Sequence, residues 1–264
     1  MTQCYYRRLR SDGAWQVFES TDMTCSNWSS EIQHGSPPLA LLTKVIEASL
    51  EGSGQRIGRL SLDILGPIPV SPMRVRTWVA RPGRRIALVA AEMAPEGDPD
   101  RPVARVTAWA LATSDTADAA QDRYPPMVAG PTQPLPSYWW NAPGYLESVS
   151  WRRQDDDAGA RVFWLTPLVG VVDDEPTTAL QRLAMVVDSA NGVGSALNPE
   201  EFMFMNTDTV VHLHRLPTGQ DFALRARGSI GPDGIGATTA ELFDHTGFVG
   251  TSAQSLLVQR RLNM

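Results

Sequence analysis

The sequence has few of the features that mark disulfide-rich, secreted or membrane-spanning proteins. Its 264 residues include two cysteines, Cys4 and Cys25, too few for a disulfide framework in a chain of this length. No apolar run reaches the roughly 18 residues that a membrane-spanning helix needs. The arginines near the N-terminus are not followed by the apolar segment of a secretory signal. We therefore expect a protein without a membrane span, in a reducing, cytoplasmic setting.

The sequence also has few basic residues, no serine-hydrolase motif and few histidines. The chain has 23 lysines and arginines against 29 aspartates and glutamates, and no cluster of five or more basic residues. Because binding a phosphate backbone needs a concentrated basic surface, we expect no nucleic-acid partner. The absence of a Gly-x-Ser-x-Gly motif argues against a serine α/β-hydrolase. The chain has only four histidines, and we expect no metal site.

The chain does contain one pattern of elements that occurs twice. Helical spacing of apolar residues marks two segments, about 28–50 and 176–197, and Asp188 interrupts the second of them. Each helix signal is followed by four strand-like runs separated by turn residues. These runs are 60–65, 75–79, 86–93 and 103–112 in the first half, and 209–213, 222–226, 236–242 and 248–258 in the second.

The repeated order indicates an internal duplication at an offset of about 145–149 residues. We predict an N-terminal domain over 1–118, a proline-rich linker over 119–137 and a C-terminal domain over 138–264. A helix followed by an antiparallel sheet predicts an α+β fold, because each helix needs a sheet to bury it. The expected architecture has two central helices, each wrapped by an antiparallel sheet.

Five short segments keep a fixed order along the two halves. They are Ile32-Gln33-His34-Gly35-Ser36, Arg81-Pro82-Gly83-Arg84, Val186-Val187-Asp188-Ser189, Val211-His212-Leu213-His214-Arg215-Leu216-Pro217 and Thr251-Ser252-Ala253-Gln254-Ser255. Together they resemble the acyl-CoA thioesterase II family. The resemblance covers nearly the whole chain and implies a tandem double hotdog that hydrolyses acyl-CoA thioesters in fatty acid metabolism.

The resemblance implies a water held by an Asp, a Thr and a Gln. Asp188 takes the first position and Gln254 the third, while Asn206 stands where the Thr is expected and Thr207 is next in line. Asp188 lies in an apolar run, where burying a carboxylate is costly unless it is hydrogen-bonded or needed for chemistry. The alternative to a catalytic role is that Asp188 is the N-cap of a helix. Gln254 has the alternative of bonding a sheet edge. An Asn amide can still orient water, since it both donates and accepts.

Four further residues are candidates for substrate binding. His34 and Gly35 open the first helix, where exposed N–H groups can polarise a carbonyl oxygen; His34 alternatively has no chemical role. Arg84 and Arg215 are candidates for the CoA phosphates. His34 corresponds roughly to Asp188 in the repeat, so we expect one intact site and one relic.

The substrate is expected on either CoA or a carrier protein, and no cofactor or covalent intermediate is needed. Two alternatives stay open: a hotdog dehydratase or hydratase using His34 with Asp188, and a non-catalytic acyl-thioester or lipid binder. Assembly into a homo-oligomer through exposed sheet edges is also left open.

Overall fold

The computed structural model describes residues 3–135, 143–154, 160–195 and 197–261. Within these ranges the chain forms three α-helices and one sheet of fourteen strands. The helices are α1 (Ser36–Ser49), α2 (Ala179–Val187) and α3 (Ala190–Gly194). The strands are β1 (Cys4–Asp12), β2 (Trp15–Ser20), β3 (Gln55–Ile64), β4 (Pro72–Arg81), β5 (Ile86–Pro95), β6 (Ala104–Ala112), β7 (Val149–Gln154), β8 (Arg161–Pro167), β9 (Gly170–Val172), β10 (Phe202–Asn206), β11 (Asp208–Leu213), β12 (Phe222–Ile230), β13 (Ile235–Asp244) and β14 (Gly247–Arg260).

The sheet repeats one strand order on either side of its centre. At the centre, β3 pairs with β11 in antiparallel fashion. Outward from this pair, the first half runs β3-β6-β5-β4-β2-β1 and the second half runs β11-β14-β13-β12-β8-β7. Beyond these, β10 pairs with β14, and β9 pairs in parallel with β1. The two halves therefore have the same topology and join edge to edge.

The helices lie against one face of this sheet and against each other. Ten of the fourteen residues of α1 are buried, including Leu39, Leu41 and Leu42. Each such leucine contributes roughly 1.5–3 kcal/mol by leaving water. The helix α2 packs beside α1, and its N-terminus is fixed by a capping box in which Thr178 and Gln181 exchange hydrogen bonds. Burial thus holds the ends of both helices in fixed relative positions.

The two helices are shorter than the sequence pattern predicts. The first begins at Ser36 and not near residue 28, because Pro37 and Pro38 fit only in the first turn of a helix. The second is broken into α2 and α3 at Asp188 and Ser189. The sequence pattern also did not predict β1 and β2 before α1, β7, β8 and β9 before α2, or β10 after α3.

Part of the segment predicted as a linker packs on the second half of the sheet, on the face opposite the helices. Tyr124 packs on Phe243 and Phe248, with ring centroids 6.2 and 5.3 Å apart, and Met127 joins the same cluster. The predicted boundary at 137/138 lies outside the described residues. No helix in the described ranges is long and apolar enough to cross a membrane.

Candidate active site

A cavity of about 570 Å³ opens where the N-terminus of α1, the C-terminal end of α2 and strand β10 meet. Much of its wall is apolar, formed by Trp28, Ile32, Ile64, Ile68, Leu146, Trp151, Leu197, Phe204, Met205 and Leu257. Its polar lining includes His34, Gly35, Asp188 and Asn206, four residues singled out from the sequence. An apolar cavity with a few convergent polar groups is the usual form of a small-molecule site.

Asp188 lies at the centre of this polar group. It follows the last residue of α2, and only 1% of its surface is exposed. Its Oδ1 accepts hydrogen bonds from Thr209 Oγ1 at 2.5 Å and from Asn206 Nδ2 at 2.7 Å, with Gln254 Nε2 at 3.5 Å. Such donors offset the cost of burying a charge, and they fix the carboxylate plane. The buried carboxylate is therefore hydrogen-bonded through one oxygen, and it is not a helix N-cap.

An irregularity between β10 and β11 brings two of these donors together. Asn206 lies opposite Leu256 of β14, whereas Val210 lies opposite Ala253, so the first strand carries one residue more than its partner in this interval. Residues three apart on a regular strand point to opposite faces. One extra residue reverses that relation, so that Asn206 and Thr209 both reach the same carboxylate.

Gln254 closes the group from strand β14. Its Nε2 donates to the backbone carbonyl of Asp188 and to Thr209 Oγ1, both at 2.8 Å. Gln254 is 3% exposed and Thr209 is fully buried, and neither lines the cavity. Its Oε1 has no hydrogen-bond partner within the described ranges. Gln254 and Thr209 therefore hold Asp188 from behind, while the other carboxylate oxygen is left to the cavity side.

The second carboxylate oxygen, Oδ2, lies against the start of α1. A Cβ atom on Gly35 would stand 2.4 Å from it, so only glycine permits this approach. In the first turn, Pro37 and Pro38 have no N–H, and the Ser36 amide donates to His34 Nδ1 at 3.1 Å. The Gly35 amide has no acceptor in the part of the chain that the structure describes. Among the described N–H groups of this helix start, it is the one left without a partner beside the cavity.

His34 stands beside the same oxygen. Its Nδ1 is 3.7 Å from Asp188 Oδ2, which is beyond hydrogen-bond distance. Burial lowers the pKa of His34 below its usual value, and the neighbouring carboxylate only partly opposes this effect. His34 is therefore neutral at pH 7.

Three of the residues predicted from the sequence do not reach Asp188. The Thr207 hydroxyl contacts Asp208 Oδ1 at 3.2 Å and the Ser255 carbonyl at 3.5 Å, although Thr207 lines the cavity. Arg84 lies in the exposed turn between β4 and β5, outside the cavity wall. Arg215 is bound through two nitrogens to Asp244, each at 2.7 Å, and this pair holds the pKa of Asp244 well below its usual range.

Two residues at or beside the cavity were not predicted from the sequence. Thr209 shares the two-residue alternation of Val211 and Leu213, which are buried, so a hydroxyl on the core side of β11 was a readable signal. Arg261 follows β14, lines the cavity and has its guanidinium 5.6 Å from the Trp28 ring centroid. Nothing in the local sequence set it apart from other surface arginines.

Solved structures with the same fold cover almost the whole chain. A protein of Thermobifida fusca assigned as a thioesterase II shares 20% identity over 98% of both chains, with a TM-score of 0.68. The acyl-CoA thioesterase II TesB2 of Mycobacterium marinum shares 12% over 96% of both chains, also with a TM-score of 0.68. A protein with a hot dog fold from Alicyclobacillus acidocaldarius shares 15% over 97% of this chain and 96% of its own, with a TM-score of 0.67.

Family models match both halves of the sequence. The acyl-CoA thioesterase N-terminal domain matches residues 24–111, and the acyl-CoA thioesterase C-terminal domain matches residues 121–258. A search among curated proteins found no match. The fold is thus a hotdog-type thioesterase fold with two domains, and the function of this family is thioester hydrolysis. The chain belongs to the acyl-CoA thioesterase family, as its sequence motifs suggested.

Proposed function

We propose that this protein hydrolyses acyl-CoA thioesters in the cavity beside Asp188, with that carboxylate as the general base. The observation that carries the proposal is the asymmetry of its two oxygens. Thr209 and Asn206 donate to Oδ1, whereas Oδ2 accepts no hydrogen bond within the described ranges and lies against Gly35 on the cavity wall. A base held through one oxygen and open through the other is suited to take a proton from water.

The reaction needs only groups of this chain and water. A water hydrogen-bonded to Asp188 Oδ2 attacks the thioester carbonyl carbon and gives its proton to the carboxylate. The tetrahedral intermediate carries its negative charge on the former carbonyl oxygen, to which the Gly35 N–H donates. When the carbon–sulfur bond breaks, the electron pair stays on sulfur, and Asp188 returns the proton to the departing CoA thiol. No cofactor takes part in these steps.

Three residues have the role of positioning Asp188. Thr209 and Gln254 are buried behind the carboxylate, so they fix its orientation without touching substrate. Asn206 lines the cavity and donates to Oδ1. These contacts support the proposal that Asn206 positions Asp188, as the Thr of the family is expected to do. In this proposal Thr207 has no part in the chemistry.

The substrate is held by the apolar wall on its acyl side and by Arg261 on its CoA side. Arg261 replaces Arg84 and Arg215 as the candidate for a CoA phosphate, because it lines the cavity and Arg215 is occupied by Asp244. An acyl group on a carrier protein would present the same thioester and pantetheine arm. The proposal therefore covers both, with CoA as the first substrate to test.

The wider expectations of the sequence belong to the same proposal. The repeated strand order supports a tandem double hotdog built of residues 1–118 and 138–264 with a linker at 119–137. Cytoplasmic location, a role in fatty acid metabolism and assembly into a homo-oligomer are proposed with it. Light scattering of the purified chain would measure the last of these.

The dehydratase alternative is disfavoured by the state of His34. Such an enzyme uses an imidazole as the base that removes a proton from carbon. Here Nδ1 already accepts from the Ser36 amide, so the proton of the neutral ring is on Nε2 and neither nitrogen is a free base toward the cavity. A non-catalytic binder would keep the cavity but release no thiol.

The test is thiol release from acyl-CoAs of increasing chain length, with branched and aromatic members. Asp188→Asn keeps the shape of the side chain and removes the base, so we expect kcat to fall by about 10²–10⁴-fold. Asp63→Asn removes a carboxylate from the exposed side of β3 and is the matched control. Turnover that survives Asp188→Asn in a folded protein would refute the assignment, and tight binding without any turnover would favour the binder.

A further inference from the structure

The ring of His34 is held in one orientation by its neighbours. It stacks on Tyr145 with centroids 3.8 Å apart and planes 8° from parallel. Tyr145 is itself fully buried, and its hydroxyl donates to the Met185 carbonyl at 2.9 Å and lies 2.7 Å from Ser189 Oγ. Two hydrogen bonds to the region of α2 therefore fix the aromatic surface on which the imidazole rests.

The tautomer of His34 is fixed as well. The Ser36 amide donates to Nδ1, so this nitrogen carries a lone pair and the neutral ring must carry its proton on Nε2. Protonation of the ring would break this hydrogen bond at the start of α1. Burial disfavours the protonated form in addition, because it lowers the pKa of the imidazole. The ring is thus a neutral donor through a single nitrogen.

This donor has no acceptor from the protein within the described ranges. His34 lines the cavity, and its side chain keeps 14% of its surface exposed there. Nε2 is not among the buried atoms that lack a partner, so this donor is open to the cavity and a bound ligand can supply its acceptor. The thioester carbonyl is the acceptor that the substrate brings to the neighbourhood of Gly35 and Asp188.

We propose that neutral His34 is a catalytic residue that donates its Nε2–H to the thioester carbonyl oxygen, as a second donor beside the Gly35 amide. This inference rests on the proposed function and adds a residue to it. No proton is transferred to or from the ring. The hydrogen bond strengthens as the carbonyl oxygen becomes the oxyanion of the tetrahedral intermediate, so it stabilises the transition state more than the bound substrate and lowers the barrier.

Three substitutions separate this role from capping and packing. His34→Phe keeps an aromatic ring for Tyr145 but removes both nitrogens. His34→Asn keeps an acceptor for the Ser36 amide, as Asn does at helix starts, but its amide is too short to replace Nε2. His34→Gln extends an amide N–H to the position of Nε2. We expect kcat to fall by about 10²-fold in the Phe and Asn variants with little change in KM, and the Gln variant to recover part of it.

An S-alkyl-CoA thioether supplies the second readout, since it has the chain and the CoA but no carbonyl oxygen. Its dissociation constant should be the same for wild type and all three variants. Wild-type kcat in His34→Asn would overturn the inference in favour of a capping role. Equal losses in all three variants with weakened thioether binding would overturn it in favour of a packing role. Failure of the proposed function itself is distinct, because wild type would then release no thiol from any thioester.

Discussion

Gly35 tests the proposed geometry with the smallest change that the chain allows. In Gly35→Ala, the added methyl would lie 2.4 Å from Asp188 Oδ2 and 2.9 Å from its Cγ. Ordinary contact requires 3.4 Å or more, so the carboxylate must retreat by about 1 Å. Asp188 cannot retreat freely, because Thr209 and Asn206 hold its other oxygen at 2.5 and 2.7 Å. The methyl also fills the space where the attacking water and the oxyanion are placed.

The expected effect is a loss of activity that stability does not explain. Displacing a catalytic group by 1 Å costs about 10²-fold in rate, so kcat should fall by at least that factor. The fold should tolerate the change, since Gly35 has φ −67° and ψ −24°, a backbone conformation that alanine adopts without strain. The clash costs about 1–3 kcal/mol, partly offset by the lower entropy of the unfolded chain.

The measurement is thiol release together with thermal unfolding, against a matched control. Gly97→Ala is that control: Gly97 is exposed, its φ is not positive, and no atom lies within 4 Å of its added methyl. Gly35→Ala should lower the melting temperature by a few degrees and remain folded at the assay temperature, Gly97→Ala should leave it unchanged, and only Gly35→Ala should lose turnover. If Gly35→Ala kept wild-type kcat, Asp188 Oδ2 would not be the site of water activation.

Three further predictions follow from the contacts around the cavity. Thr209→Val should lower kcat by about 10-fold or more and destabilise the fold by about 1–3 kcal/mol, because Asp188 and Gln254 each lose a buried partner. The control Thr207→Val should change neither kcat nor stability. Arg261→Ala should raise KM for acyl-CoA but not for the same acyl group on N-acetylcysteamine, which has no phosphate; equal effects on both substrates would contradict the phosphate role. Arg215→Ala should lower the melting temperature and leave KM unchanged, since Arg215 binds Asp244. The folded state depresses the pKa of Asp244, so this pair stabilises the protein above the unfolded pKa of about 3.9, and urea midpoints of wild type and variant should converge as the pH falls below that value.

The periodicity of the sequence predicted the internal repeat, but it did not predict which side chains meet at Asp188. Apolar spacing located both helices, and the offset of about 148 residues matches the repeated strand order around β3 and β11. The side chains around Asp188 depend on an extra residue between β10 and β11, which no local pattern in that stretch announces. Asn206 and Thr207 were chosen from the family resemblance, which passed over Thr209, although alternation with Val211 and Leu213 places Thr209 on the buried face of β11.

Arginine positions were the least predictable part of the site. Arg84 and Arg215 were chosen for their place in family-like segments, yet the role of an exposed arginine is decided by distant partners. Arg215 lies between β11 and β12 and binds Asp244, the last residue of β13, which is 29 positions away in sequence. Arg261 reaches the cavity only because β14 continues past β13 to pair with β10. Such contacts depend on strand length and register, which composition does not encode.

The two ends of the helix pair differ in the space beside their carboxylates, and the proposed function places the substrate at only one of them. At one end, Asp188 after α2 meets the start of α1 at Gly35. At the other end, Glu47 near the close of α1 meets the start of α2 at Thr178, so a carboxylate faces a helix N-terminus in both places. The residue at the helix start differs: Thr178 fills the space with its own side chain and donates to Glu47 Oε2 at 2.9 Å, and Gln181 donates to the same atom at 2.7 Å.

Burial raises the pKa of Glu47, and the hydrogen bonds of Thr178 and Gln181 only partly oppose it. Both donors bind the oxygen that would otherwise be available to water. Gly35 has no side chain to do the same to Asp188 Oδ2, so that oxygen keeps its space. In the proposed function the end at Gly35 is therefore open for chemistry, and the other end is closed by its own capping box. The expected correspondence of His34 with Asp188 in the repeat is wrong: His34 precedes α1 and lines the same cavity as Asp188, whereas the carboxylate near the end of α1 is Glu47.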